Sequence, residues 1–247
     1  MEAREYEVMY RAEDHHWWYL GMAAIVRELI CQQIKPTCPL RILDAGCGTG
    51  KTLKSILADF GTVTGFDISR LALGFCRKRS LLRLAQASIE AIPFPARCFD
   101  LVASLDVLYE QAVRSDRQAL SEFARVLTPG GYVLLRLPAY DWLRGQHDRI
   151  VHTRQRYTKE QVIRLLNGSG FRVCLASYAN MTLFLPALIK RLGERLTWQG
   201  AARSDLEVPL GPLNGLLRVI LTAEAPLISR LGLPFGLSVI ALGQKVI

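Results

Sequence analysis

Apolar and polar positions fall in alternating blocks along this chain, and the blocks predict strands and helices in turn. Leu40-Arg41-Ile42-Leu43-Asp44-Ala45 is a short apolar run closed by an acid, and Gly46, Gly48 and Gly50 follow at every second position. An apolar run of that length bounded by glycine is the pattern of a buried parallel strand. Thr62-Val63-Thr64-Gly65-Phe66-Asp67 repeats it as a second strand, again ending in an acid. Further strands are expected over 84–87, 100–105, 132–137, 171–178 and 237–245. Helical spacing separates them over 51–60, 69–79 and 117–127, and again after Thr158-Lys159-Glu160-Gln161, which has the spacing of a capping box. Residues 1–36 are predicted helical until Pro36-Thr37-Cys38-Pro39 stops them. Strands alternating with helices define an α/β chain whose mostly parallel sheet is covered on both faces.

The strand–glycine–helix junction at residues 40–51 is where chemistry is expected. Glycines there let backbone N–H groups approach a ligand beside a helix N-terminus. The spacing is not that of a nicotinamide dinucleotide fingerprint, whose third glycine would fall at Lys51, nor of a Walker loop. Asp44, at the strand tip, suits a cationic group such as an α-amino group, and the glycine N–H groups suit the carboxylate of the same ligand. Asp67 ends the next strand at the spacing where an acid holds ribose hydroxyls, since one carboxylate accepts from both. Asp67 and Ser69 are also good caps for the helix that follows.

Ile42-Leu43-Asp44-Ala45-Gly46-Cys47-Gly48-Thr49-Gly50 resembles the first motif of class I S-adenosylmethionine (SAM)-dependent methyltransferases, and Phe66-Asp67-Ile68-Ser69 resembles the second. Ala87-Ser88-Ile89-Glu90-Ala91-Ile92-Pro93-Phe94, then Cys98-Phe99-Asp100-Leu101-Val102, resemble the adenine-side loop and the fourth strand after it. Phe123-Ala124-Arg125-Val126-Leu127-Thr128-Pro129-Gly130-Gly131-Tyr132 resembles the turn into the fifth. The likeness covers about residues 40–138, with its segments in order. It implies a Rossmann-like, seven-stranded, mostly parallel sheet and SAM as cofactor; where the family has a short connection before the last strand, this chain has about sixty residues, read as a helical insertion. Carried over by position, Asp44, Gly46, Gly48 and Gly50 would hold the methionine end and Asp67 the ribose. Ile68, Ser88 and Ile89 would hold the adenine, with Leu105 as the floor. Ser88 stands where the family commonly has an acceptor Asp, and Glu110 follows Tyr109 where many relatives have a histidine, so no histidine base is expected from that loop.

A single domain over 1–247 is expected, in five segments. These are an N-terminal helical lid (1–36), a SAM-binding core (37–138), an acceptor-side loop, helix and strand (139–180), a helical insertion (181–235) and a final strand (236–247). Within Asp14-His15-His16-Trp17-Trp18-Tyr19, Trp17 and Trp18 either staple the lid to the core or face the acceptor with Tyr109, where aromatic rings attract a sulfonium. In the polar loop 145–157, His147 is the first candidate base, with Asp148 to orient it and His152 second. Arg149, with Arg154 and Arg156, suits a phosphate or carboxylate on the substrate; a solvated polar loop is the plainer alternative. In the insertion, Met181, Phe184, Leu185, Leu188, Leu192 and Leu196 lie at helical spacing with Lys190, Arg191 and Arg195 among them. Residues 213–228 are apolar almost all round, as in a helix that is buried, at a dimer interface or at a membrane. The aromatic lid and the insertion resemble a small-molecule branch of the family associated with glycoconjugate or lipid-linked chemistry.

Composition narrows the function further. Half of the residues are apolar and 21% charged, which excludes disorder. The net charge of +9 points to anionic partners: phosphorylated substrates, a membrane surface or nucleic acid. Nucleic acid is not expected, because there is no appended basic domain and no Asn/Asp-Pro-Pro-Tyr/Phe base-flipping signature. Six scattered cysteines without a CxxC pair fit buried thiols in a reducing cytoplasm and no structural metal. The charged N-terminus lacks a signal-peptide core, and no apolar run reaches the ~18–20 residues of a membrane span. The expected protein is therefore cytoplasmic, with peripheral membrane contact as an option. It would transfer a methyl group from SAM, to oxygen by preference, on a small-molecule or lipid-linked acceptor. The alternatives are a nucleic-acid methyltransferase and a non-catalytic, SAM-binding, membrane-associated scaffold. The acceptor and the oligomeric state are not legible in the sequence.

Overall fold

The order of seven strands in one sheet positions everything else: β3-β2-β1-β4-β5-β7-β6. In this computed structural model, which describes residues 3–196 and 211–246, the strands are β1 (Leu40–Ala45), β2 (Gly61–Asp67), β3 (Leu84–Gln86), β4 (Phe99–Leu105), β5 (Leu127–Pro138), β6 (Phe171–Ala179) and β7 (Ser238–Lys245). β1 to β5 pair in parallel, and β7 runs antiparallel between β5 and β6. Ile42, Leu43, Val102, Ala103 and Leu134 are fully buried, as central strands covered on both faces require. The chain order reverses between β1 and β4, and ligands in such sheets bind in the crevice at the carboxyl ends of the strands flanking that point. Asp44 and Leu105 stand at those ends.

The helices are α1 (Ala3–Ala12), α2 (Trp17–Leu29), α3 (Lys51–Ser55), α4 (Arg70–Lys78), α5 (Asp116–Val126), α6 (His147–Ile150), α7 (Lys159–Asn167), α8 (Phe184–Leu196), α9 (Leu213–Ala223) and α10 (Ala225–Arg230). Ser69 caps α4 by accepting from the Ala72 N–H, and both hydrogen bonds of the Thr158/Gln161 capping box on α7 are present. Three predicted elements differ. The helix over 1–36 is two helices with a turn at 13–16, and α2 runs on into a π-helical turn, Ile30–Ile34. The crossover helix over 51–60 stops at Ser55 and continues as a short 3-10 turn, Leu57–Asp59. The helix over 213–228 breaks at Glu224. β5 also begins earlier than predicted, since Thr128–Gly131 bulge out between two pairings with β4. Gly130 turns at φ +75° there, and a Cβ on Gly131 would sit 3.0 and 3.1 Å from the Thr128 and Asp100 carbonyl oxygens.

α1 lies on α4, with the Tyr10 and Phe75 rings 4.7 Å apart. α9 lies on α2, where a Cβ on Gly21 would be 2.6 Å from Leu221 Cδ2, so only glycine lets the two helices meet. Asn214, at the start of α9, accepts from the Trp17 N–H (2.9 Å) and donates to the His15 carbonyl (2.8 Å). The helical insertion is thus fastened to the N-terminal helices above the carboxyl edge of the sheet. Leu185 and Ile189 of α8, and Leu213, Leu216 and Val219 of α9, are each more than half exposed. The side chains of Lys190, Leu192, Arg195 and Leu196 lie outside the described residues. No described helix is long and apolar enough to cross a membrane, and the described residues hold no cluster of three His, Cys, Asp or Glu able to bind a metal. Cys47 and Cys76 are buried thiols and Cys98 is partly buried, but Cys31, Cys38 and Cys174 are exposed, unlike the buried thiols expected from the sequence.

Candidate active site

A cavity of about 700 Å³ opens at the carboxyl edge of the sheet. Its inner end is the glycine turn. Gly46 has φ +84°, and a Cβ there would lie 2.4 Å from Val107 Cγ2, so the turn admits no side chain. The expectation that the glycine N–H groups receive a ligand carboxylate is not met. Gly46 and Cys47 both donate to the Phe66 carbonyl (2.9 Å each), Gly50 donates to Cys47, and Gly48 donates to Asp67 Oδ2 (2.9 Å). The backbone polarity of the turn is consumed in joining β1 to β2, and what glycine provides is room. Gly50 is not in the cavity wall: at φ +84° it starts α3, and a Cβ would strike Leu81 and Cys76.

The two strand-tip acids differ in kind. Asp67 is a structural clamp as well as a candidate ligand, with Oδ1 accepting from Ser69 N–H (2.8 Å) and Oδ2 from Gly48. Each of its oxygens keeps a further lone pair toward the cavity. Asp44 is only 2% exposed and its Oδ2 has no hydrogen-bond partner among the described residues. Burial first, then the charge of Asp67, push its carboxyl up to about 7. A buried carboxylate without a partner is a site prepared for a cation. The folded pKa lies above the unfolded value, so this group's contribution to stability is complete below about pH 4 and is lost as pH rises toward 7. We expect Asp44→Asn to flatten that part of the stability–pH curve in urea melts of the free protein; an unchanged slope would place the titration elsewhere.

Over the glycine turn lies the corner between α1 and α2, held by buried Arg79. Its guanidinium pairs with Glu13 (3.1 Å) and Asp14 (3.3 Å), donates to the carbonyls of Thr49 (3.2 Å) and Tyr10 (3.3 Å), and stacks 4.4 Å over the Tyr10 ring. Thr49 Oγ1 also donates to Glu13. Burial raises the Glu13 carboxyl, and Thr49 and Arg79 oppose it. His16 caps α2, its Nδ1 accepting from the Trp18 N–H (3.3 Å); this puts the proton on Nε2, which is buried and without a partner among the described residues. Trp17, Trp18 and Tyr19 line the cavity, and Trp18 lies 4.8 Å from the Arg136 guanidinium, which pairs with Asp106 at 2.6 Å.

Ile68, Ser88, Ile89, Leu105 and Tyr109 also line the cavity, with Ser88 Oγ turned to accept from the Glu90 N–H (3.2 Å). His147 and Asp148 line the outer half, but not as the expected pair. Asp148 is bound by Arg156 through both oxygens (2.8 and 2.9 Å) and by the Gly145 N–H (2.7 Å), while His147 Nδ1 is buried with no partner among the described residues. A bidentate guanidinium outcompetes an imidazole for one carboxylate. His152 and Arg149 are not in the wall: His152 turns at φ +54° and gives its carbonyl to Gln111, and Arg149 is exposed. Arg154 and Arg156 tie the loop down, Arg154 to Asp116 and Leu108, Arg156 to Asp148 and Ala139. Sequence reasoning passed over Arg136 and Asn180 as site residues. The signal for the first was a lone charge inside the apolar run Val133-Leu134-Leu135-Arg136-Leu137.

The strand order, the acids at two adjacent strand tips and the room made by the glycine turn are features of the Rossmann-like fold of class I SAM-dependent methyltransferases. Residues 43–135 match the family described as a methyltransferase domain. The chain is 36% identical over 118 residues to a fatty-acid O-methyltransferase of Mycolicibacterium smegmatis, covering 44% of this chain and 42% of that one. It is 30% identical over 129 residues to a demethylmenaquinone methyltransferase of Tropheryma whipplei, covering 50% and 48%. The matches thus span under half the length of these relatives. The crystal structure of a SAM-dependent methyltransferase from Mesorhizobium loti shares the fold at a TM-score of 0.59 and 16% identity, over 94% of this chain and 99% of that one. SAM is the cofactor of this class. Asp44 Oδ2 without a partner, and a turn that a Cβ would fill, fit its methionine end.

Proposed function

We propose that this protein transfers a methyl group from SAM to an oxygen of a small-molecule or lipid-linked acceptor. The observation that carries the reading is one continuous cavity lined by the two strand-tip acids, by His147 and by a largely apolar set of side chains. Bound SAM would supply a methyl group already activated by the sulfonium. Asp44 would receive its ammonium group, Asp67 its ribose hydroxyls, and Ile68, Ser88 and Ile89 its adenine, above Leu105. Trp17, Trp18 and Tyr109 would wall the methyl-transfer space and exclude water. The His147 imidazole, which Asp148 leaves free by pairing with Arg156, would take the proton of the acceptor hydroxyl. Leu143, Val151, Leu183, Pro186, Ala187 and Leu217 offer an apolar body a place to lie. The exposed apolar faces of α8 and α9 border that end, and with the charge of +9 they support contact with an anionic bilayer.

One experiment addresses the reading. The protein is incubated with trideuteromethyl-SAM and vesicles of anionic phospholipid carrying a bacterial lipid extract, floated on a gradient, and the lipids are analysed by mass spectrometry. Labelled lipid and co-flotation are expected, and His147→Ala is expected to slow labelling by about 10²–10⁴-fold with SAM affinity retained. SAM binding without any labelled product would leave the scaffold reading in its place.

A further inference from the structure

Seven carboxylate side chains line the cavity, and most of them already have a task. Glu13, Asp106 and Asp148 pair with Arg79, Arg136 and Arg156, and Glu5 is engaged as well. In the reading above, Asp44 meets the ammonium group of the cofactor and Asp67 its ribose. Glu110 remains. Its backbone is fixed on both sides: the N–H donates to the Val107 carbonyl (3.0 Å), the carbonyl accepts from the Val113 N–H (3.0 Å), and a bridge joins it to Thr153 of the outer loop. Its side chain is half-buried and lines the cavity. Among the described residues, the charges that bear on it are those of Asp67 and Asp106, both acids. Burial first, and these two charges with it, push its carboxyl up to about 7. The charge of Glu110 in turn reaches Tyr6 of α1, whose phenol is raised by burial, then by Asp67, with Glu110 adding to both. Glu110 therefore shares the cofactor end of the cavity with Asp67 and Tyr6.

We propose that Glu110 is a specificity-determining residue of the cofactor site: its carboxylate faces the sulfonium of SAM and makes the site prefer the charged cofactor to S-adenosylhomocysteine, the neutral thioether left after transfer. The proposal rests on the methyltransferase reading above and deepens it at the same site. SAM carries two cationic centres, an ammonium at its methionine end and the sulfonium between that end and the ribose. Asp44 meets the first. The second then falls in the stretch between Asp44 and Asp67, where Glu110 is the remaining acid. A half-buried carboxylate crowded by other carboxylates is relieved by a cation and gains nothing from a neutral thioether. The attraction is strengthened there because Coulomb energy rises as the effective dielectric falls. Transfer of the methyl group leaves the C–S bonding pair on sulfur, which becomes neutral, and Glu110 loses its counter-charge. The side chain that favours loading of the cofactor thus also favours departure of the product.

The test titrates three ligands into the full chain by calorimetry at about pH 8, where the Glu110 carboxyl is ionised. They are SAM, sinefungin, which carries an amine in place of the methylsulfonium, and S-adenosylhomocysteine. The wild type is expected to bind SAM and sinefungin about tenfold more tightly than S-adenosylhomocysteine. This series needs no variant and stands if one misfolds. Glu110→Gln, which keeps the shape and deletes the charge, is expected to weaken SAM and sinefungin about tenfold. Its affinity for S-adenosylhomocysteine is expected to be unchanged, which also shows that the variant is folded. Glu110→Asp is expected to keep SAM ahead of S-adenosylhomocysteine. Equal affinities in the wild type, a preference that survives in Glu110→Gln, or an equal loss of all three ligands in a folded Glu110→Gln would overturn the proposal. Failure of all three to bind the wild type would instead overturn the methyltransferase reading.

Discussion

Replacing Arg79 with leucine is expected to cost the folded protein about 3–5 kcal/mol, a fall in Tm of roughly 10 °C for a chain of this size. Both members of the Arg79–Glu13 pair are 8% exposed at their side chains, so removing the cation strands a buried carboxylate whose pKa burial already raises. Arg79 also donates to the Tyr10 and Thr49 carbonyls, which ties the first helix to the glycine turn. The companion Glu13→Gln keeps a neutral acceptor for Thr49 and removes the stranded charge. Urea melts of the two single variants and the double should therefore show the double less destabilised than the sum. A loss under about 1 kcal/mol in Arg79→Leu would mean that the pair is solvated in solution.

Asp67→Ala is expected to weaken SAM binding by about 100-fold, close to 2.7 kcal/mol. Two effects add. On the proposed reading the ribose would lose a bidentate acceptor, and the Gly48 and Ser69 N–H groups lose theirs, so the glycine turn is no longer fixed. Calorimetric titration measures the loss, and a melt of the same sample separates the parts. A large drop in affinity with a small drop in Tm assigns it to the ribose, whereas wild-type affinity would remove Asp67 from the binding site.

The strands were legible because central parallel strands admit few polar side chains, so 40–45, 62–67 and 100–105 announce themselves as apolar runs closed by an acid. Both acids at the strand tips were legible for the same reason. The use of the glycine N–H groups was not: spacing places donors near a ligand but does not tell that the Phe66 carbonyl and Asp67 reach them first. The turn at 13–16 escaped notice because Glu13 and Asp14 are acceptable in a helix, and the burial of Glu13 against Arg79 is a contact across 66 positions of chain. Asp148 beside His147 invited a pairing that Arg156 takes by superior geometry. Asn180 had only a faint mark, a single amide in the mostly apolar stretch Tyr178-Ala179-Asn180-Met181, and the carboxylate that accepts from its backbone N–H, Glu224, lies 44 residues later.

Where Gly21 receives Leu221, and Asn214 grips the backbone on both sides of His16, the beginning of the chain and its last quarter are built as one arch over the reaction space. Neither half of an arch can be reshaped alone. A lineage that widens or narrows this enclosure for a different guest must alter both spans together, so new acceptor preferences are expected to arise through paired substitutions in the second helix and the ninth rather than through single changes in either.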